Sequence, residues 1–201
     1  MAHIRLLLAL LLLATLAGCL GGPPVASLPE PPPPPPPPAA GQSDQILLEE
    51  TLRGRALGNA EVVGLSDRLL QEGNASLSDQ TTMARLEILL LKALKTEDKV
   101  NRPAVLRNLG IIHYHQGKYK KARQELQHAN ELNPKDPRTH FYLARLFTLQ
   151  GEIYQKQGKK SQAKQQFKRA SIEMEMARKL APGNPAYRQE IQPANKQGQG
   201  K

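Results

Sequence analysis

Residues 103 to 136 read PAVLRNLGIIHYHQGKYKKARQELQHANELNPKD. Apolar residues recur at helical spacing on both sides of Gln116-Gly117-Lys118, and nothing alternates as a half-buried strand does. Pro103 suits a first turn, where its missing N–H costs nothing, and Gly117 suits a helix end, where a left-handed residue closes the last turn. The stretch therefore predicts a helical hairpin, 103–116 and 119–132. The same Leu, Ala, Gln, Lys, Arg and Glu composition runs outward from Asp44. Its spacing predicts further helices over 44–57, 60–72, 79–95, 137–157, 160–180 and 185–192. Asn59 and Asp136 are expected caps, Pro137 and Pro185 open helices, and Gly58, Gly73 and Gly158 end them. The fold class is all-α.

Leu109-Gly110, Gly117, Tyr119, Ala122, Leu126, Ala129 and Pro134 together resemble the tetratricopeptide repeat, whose unit has the same 34 residues as 103–136. The resemblance implies stacked helical hairpins, an α-solenoid. Gly110 and Ala122 would be small where paired helices approach closely, with Leu106, Leu109 and Leu126 filling the space around them. Two positions depart from the family: Leu106 stands where Trp is common, and His113 where Tyr is common.

Residues 137–184 resemble a longer version of the same unit. Aligned on Gly158, Phe147, Gly151, Tyr154, Ala163, Phe167 and Ala170 fall at the family offsets, while Gln150 replaces the usual Leu. The second helix runs on through Met174 and Ala177 to Leu180. Each arm is thus about two turns, or about 10.5 Å, longer than usual, and the excess is expected at the open end of the hairpin. His140, Ala144, Phe147, Gly151 and Tyr154 would face Ala163, Phe167, Ala170, Met174 and Ala177 in a heptad seam. A solitary coiled hairpin unrelated to the repeat is the other reading of this spacing. Upstream, residues 43–102 are expected to hold a degenerate hairpin with Val62, Leu65, Ser66 and Leu69 inward and helix 44–57 as a cap. In residues 185–201, PAYRQEIQ is expected to cover the far end, and the tail after Ile191 has nothing to bury.

The N-terminal part has a different character. Residues 1–18 carry one basic residue and an uncharged leucine-rich run too short to span a bilayer, as a signal peptide does. Leu16-Ala17-Gly18-Cys19 resembles the lipobox of bacterial lipoproteins, which implies acylation of Cys19 and, with Leu20 following, residence at the outer membrane facing the periplasm. Cys19 is the one cysteine of the chain, so a disulfide framework is excluded. Residues 19–42 include eight prolines, Pro31 to Pro38, which favour a polyproline rod of roughly 25 Å. The segment reads as a spacer, or as a ligand for a proline-binding groove.

No catalytic constellation is visible. With the cysteine taken by the anchor, thiol catalysis is excluded, and no serine sits in a nucleophile elbow. His113 and His115 point to different sides of a helix, and His128 and His140 have no ligand-spaced neighbours, so no metal and no cofactor are expected. Charge is more informative, because residues 101–201 hold 20 Lys or Arg against 7 Asp or Glu, and residues 20–100 hold 7 against 11. Lys118, Lys120, Lys121 and Arg123 flank one turn, and Lys156, Lys159, Lys160 and Lys164 flank the next. In a stack these turns would merge into a basic edge, either solvated or in contact with anionic lipid, peptidoglycan or an acidic protein. Nucleic acid is excluded for an exported chain without interleaved stacking aromatics.

In the tetratricopeptide family, ligands lie in a concave groove lined by the first helices. By position the resemblance places Arg107, Ile111, Tyr114, Arg138, Phe141, Arg145, Thr148, Glu152 and Gln155 on that face. Ile111 breaks the family's carboxylate-clamp pattern. The expected function is a non-enzymatic, membrane-anchored scaffold that binds envelope proteins, as pilotins and adaptors of cell-wall enzymes do. Binding of an anionic glycan or lipid through the basic edge is the alternative. Oligomeric state is open.

Overall fold

A computed structural model describes residues 40–188, with side chains from 43 to 188. Cys19, the proline run and the expected helix beyond Arg188 lie outside the described residues. Within them are seven α-helices: α1 (Ala40–Leu52), α2 (Asn59–Leu69), α3 (Gln80–Leu94), α4 (Arg102–His115), α5 (Tyr119–Leu132), α6 (Pro137–Lys156) and α7 (Lys160–Leu180). Short 3-10 turns follow α2 (Ala75–Ser78) and α7 (Pro185–Arg188). The helices pair as α2/α3, α4/α5 and α6/α7, with the most extensive packing inside the last two pairs.

Chain chemistry explains where the helices stop. Gly117 and Gly158 take φ of 73° and 74°, open to glycine at no steric cost. The next amide then turns back, Lys118 N–H to His113 C=O at 2.8 Å and Lys159 N–H to Tyr154 C=O at 2.9 Å. Gly54, at φ 118°, does the same for α1 and ends it at Leu52, five residues before the expected limit at 57. Gly58 opens α2 rather than ending α1: its N–H donates to Glu61 Oε2 at 2.8 Å. Asn59 is therefore not a cap, and its amide instead donates to Thr96 Oγ1 and Asp98 Oδ2. Asp136 does cap α6, accepting from Thr139 N–H at 3.3 Å.

The pairs close on small residues. A Cβ on Gly110 would lie 2.6 Å from Leu126 Cγ, and one on Gly151 would lie 2.7 Å from Phe167 Cε1. The expected seam of the last pair is buried over most of its length, with Ala144, Ala170 and Ala177 at 0 % exposure and Met174 at 4 %, while Tyr154 and Phe167 near the turn are half-buried. Val62, Leu65, Ser66 and Leu69 also face inward from α2, which packs against α3 as a first helical pair. Helix α1 caps it through buried Leu48 and a two-pronged bond from Arg68 to Asp44.

The extra length of the last hairpin is at the opposite end from the one expected. Asp136 lies 3.5 Å from Arg107, Tyr142 meets Tyr114 edge-to-face with ring centroids 5.4 Å apart, and the Arg145 guanidinium sits 4.9 Å over the Tyr114 ring. Helix α6 thus starts beside the middle of α4 and is level with its last turn by residues 142–145. It then continues to Lys156, so the Gly158 turn overhangs the Gly117 turn by about 15 Å at 1.5 Å per residue. In sequence, the excess is 152–165. Without it Gly151, Phe167, Ala170, Met174, Ala177 and Pro182 take the places of Gly117, Tyr119, Ala122, Leu126, Ala129 and Pro134. Seven added residues per arm preserve the heptad phase, so helical spacing is the same wherever the seven are placed.

Candidate functional site

The wall formed by α2, α4 and α6 is half filled by the protein itself. Ile111 is fully buried and Arg107 is 9 % exposed, so these two do not line an open groove as expected, and Phe141, though only 4 % exposed, borders a cleft. Arg107 donates to Asn108 Oδ1 at 2.9 Å and pairs with Asp67 and Asp136. Arg138 donates to Asp67 at 3.1 Å, Glu72 at 3.4 Å and the Leu70 carbonyl at 2.6 Å. Asn108 reaches Ser66 Oγ and Asp67. Two guanidiniums and three carboxylates therefore tie α2, α4 and α6 together, where the sequence reading assigned both arginines to a ligand. The last turn, Pro185–Arg188, adds a plug: Tyr187, 1 % exposed, packs on Phe141 with ring centroids 4.9 Å apart. Burial pushes the Tyr187 hydroxyl up to about 12.

What stays open is the upper part of the wall. Tyr114, Thr148, Glu152 and Gln155 are half-buried and Arg145 is exposed. The Arg145 guanidinium lies over three rings, 4.9 Å from Tyr114, 5.6 Å from Phe141 and 5.9 Å from Tyr142. No carboxylate among the described residues is within ion-pair distance of it. Beside it is a half-open cleft of about 350 Å³, lined by Glu72, Leu77, Phe141 and Tyr142. An arginine held among aromatic rings loses little freedom when it binds, and the donors not used by the Tyr114 hydroxyl remain for a carboxylate or a backbone carbonyl.

The basic edge divides in two. Lys118 and Lys121 both lie 3.7 Å from Glu87, Arg123 turns inward to sit 5.5 Å over the Phe147 ring, and Lys120 is exposed. Lys156, Lys159, Lys160 and Lys164 are exposed on the overhang, with no carboxylate at ion-pair distance among the described residues. The step between the two turns separates the groups, so they do not form one continuous edge.

Three histidines have roles that spacing did not reveal. His113, fully buried, stands between Glu87 of α3 and Glu125 of α5. Burial works to raise the Glu87 carboxyl, but hydrogen bonds from Gln116 and His113 and the nearby charges of His113 and Lys118 hold it at about 2. His140 Nδ1 meets Glu173 at 2.6 Å and Nε2 meets the Pro134 carbonyl at 2.9 Å. The Glu173 bond raises its pKa above the usual imidazole value. His115 is pushed down to about 4 by burial and by Arg145, and lies 3.2 Å from the Tyr142 hydroxyl. For His113 and His140 the partner is a carboxylate on a neighbouring helix rather than along the same one, a signal that helical spacing does not carry. No cluster of three metal-ligating side chains occurs among the described residues.

Comparison with known proteins agrees with this architecture. Residues 101–171 match the tetratricopeptide repeat family model. The match ends near the close of a second 34-residue unit counted from Pro103, while α7 runs on to Leu180. The chain is also 33 % identical over 94 residues to the photosystem I assembly protein Ycf3 of Rippkaea orientalis. That stretch is 46 % of this chain and 54 % of the relative, so the chain spans about half the length of the curated relative it matches. The fold is an all-α, tetratricopeptide-type solenoid.

Proposed function

We propose that this chain is a non-catalytic scaffold that offers the open part of the α6 wall to a protein partner. The observation that carries the reading is Arg145, exposed, with its guanidinium within 6 Å of the Tyr114, Phe141 and Tyr142 ring centroids. Arginine and tyrosine held rigidly beside a cleft are the composition of an interface centre. Thr148, Glu152 and Gln155 continue that face along α6, with Thr148 Oγ1 turned back onto the Ala144 carbonyl at 3.0 Å. The relative from Rippkaea orientalis is named as an assembly protein, which is the same kind of work.

The place of that work follows from the N-terminal sequence. Leu16-Ala17-Gly18-Cys19, with the proline spacer after it, supports an acylated anchor at the outer membrane that holds the domain in the periplasm. Envelope proteins would be the partners, as for a pilotin or an adaptor of a cell-wall enzyme. A photo-crosslinker at Thr148, in the chain's own host, is expected to capture a defined partner that one at Gln127 on α5 does not. Arg145→Ala should cut that capture at least about tenfold, the cost of losing one central side chain. Equal capture from both positions, or capture unchanged by Arg145→Ala, overturns the assignment. Retention of Cys19→Ser in the membrane fraction after a wash at about 1 M salt, which strips a purely electrostatic contact, overturns the anchor.

A further inference from the structure

The overhang, residues 149–169, carries six cations, Lys156, Lys159, Lys160, Lys164, Lys168 and Arg169, against one carboxylate, Glu152. Arg169 is tethered to the body, 5.9 Å over the Phe147 ring, while the five lysines are exposed. Lys160, Lys164 and Lys168 recur every four residues and so share one stripe of α7, where like charges repel. Lys159 and Lys160 also stand at the N-terminus of that helix, the end whose dipole favours anions, and its first turn holds no acidic residue. Two local costs thus fall in one place. At the neighbouring turn, Lys118 before α5 and Lys121 in its first turn are relieved by Glu87 at 3.7 Å, and the lysines of α7 have no such carboxylate among the described residues.

We infer that the tip of the α6/α7 overhang is an electrostatic contact for an anionic lipid surface. A protein partner with a defined acidic site calls for planar, directional donors and aromatic anchors, as at Arg145. The tip instead presents compact, exposed ammonium groups around a Gln-Gly-Lys-Lys turn, with Lys159 alone lying over a ring, 5.8 Å from the Tyr154 centroid, which suits the smeared charge of head groups. It has no large apolar side chain between Gln155 and Gln166, so the contact is peripheral, without insertion into the acyl region. The overhang carries the turn and its lysines about 15 Å beyond the neighbouring turn, which leaves the Arg145 face free while the tip is engaged. This inference does not depend on the protein-binding reading.

The test is partitioning of the full chain carrying Cys19→Ser, so that no acyl group contributes, onto vesicles of phosphatidylcholine alone or with phosphatidylglycerol. Binding is expected only to the anionic vesicles, with a steep fall between about 0.05 and 0.5 M salt. Lys156→Gln, Lys160→Gln, Lys164→Gln and Lys168→Gln together should lower partitioning at least about tenfold. An equal charge change at exposed Lys92, Lys95, Lys99 and Lys135 should lower it much less. Because the tip substitutions relieve repulsion, the thermal midpoint should hold or rise, which separates lost contact from lost fold. Equal partitioning of wild type and tip variant, equal loss from both sets, or binding to soluble polyglutamate but not to anionic vesicles overturns the inference.

Discussion

His140 and His115 give the molecule opposite responses to pH. A carbonyl only accepts, so the bond to Pro134 fixes a proton on His140 Nε2, and the Glu173 carboxylate favours a second on Nδ1. A folded-state pKa raised in this way contributes stability that is complete below the unfolded value of about 6.5 and is lost as pH rises through the folded value. His115 is held neutral, with a folded-state value of about 4. Its contribution is complete above about 6.5 and is lost as pH falls from there towards 4. Chemical denaturation across pH 4 to 9 should therefore show His140→Gln flattening the alkaline side of the profile and His115→Gln the acid side. If both substitutions flatten the same side, the protonation states are assigned wrongly. Neither histidine's partner was legible from spacing, because Glu173 and Tyr142 lie 33 and 27 residues away.

At the scale of the element, the long hairpin is a regular 34-residue unit with two turns let into each arm beside Gly151. Deleting residues 152–165 brings Gly151 to the turn, where glycine tolerates positive φ, and puts Phe167 in the position of Tyr119. The shortened chain should unfold cooperatively, with a midpoint within about 5 °C of the full one, since the overhang buries little beyond its own seam. Loss of the cooperative transition in circular dichroism would mean that the added turns support the body rather than project from it. The hairpin pairs themselves were legible in the sequence. Small residues at the close approaches, glycine at the turns and apolar spacing along the arms are all local requirements. The end at which the excess lies was not, because a heptad placed anywhere in an arm leaves that spacing unchanged.

For the whole molecule, the decisive feature is the polar tie between the first helices. Arg107 has a side chain only 11 % exposed and meets carboxylates from α2 and from the loop before α6. Arg107→Ala should cost about 3 kcal/mol in urea denaturation, since it strands Asp67 and Asp136 beside each other with one cation fewer. Double substitution with Asp67→Asn should recover part of that loss. A cost below about 0.5 kcal/mol would show the tie to be decorative. Arg145→Ala, on the open wall, should leave stability almost unchanged, and this contrast separates the binding face from the framework. The sequence by itself determined the helices, their pairing, the turns and the uneven charge, because each depends on residues within a few turns of one another. Only the tertiary structure decided which part of the wall stays open and which lysines go unpaired. Those outcomes rest on contacts such as Arg138 with Leu70 and Lys118 with Glu87, formed across hairpins between residues far apart in the chain.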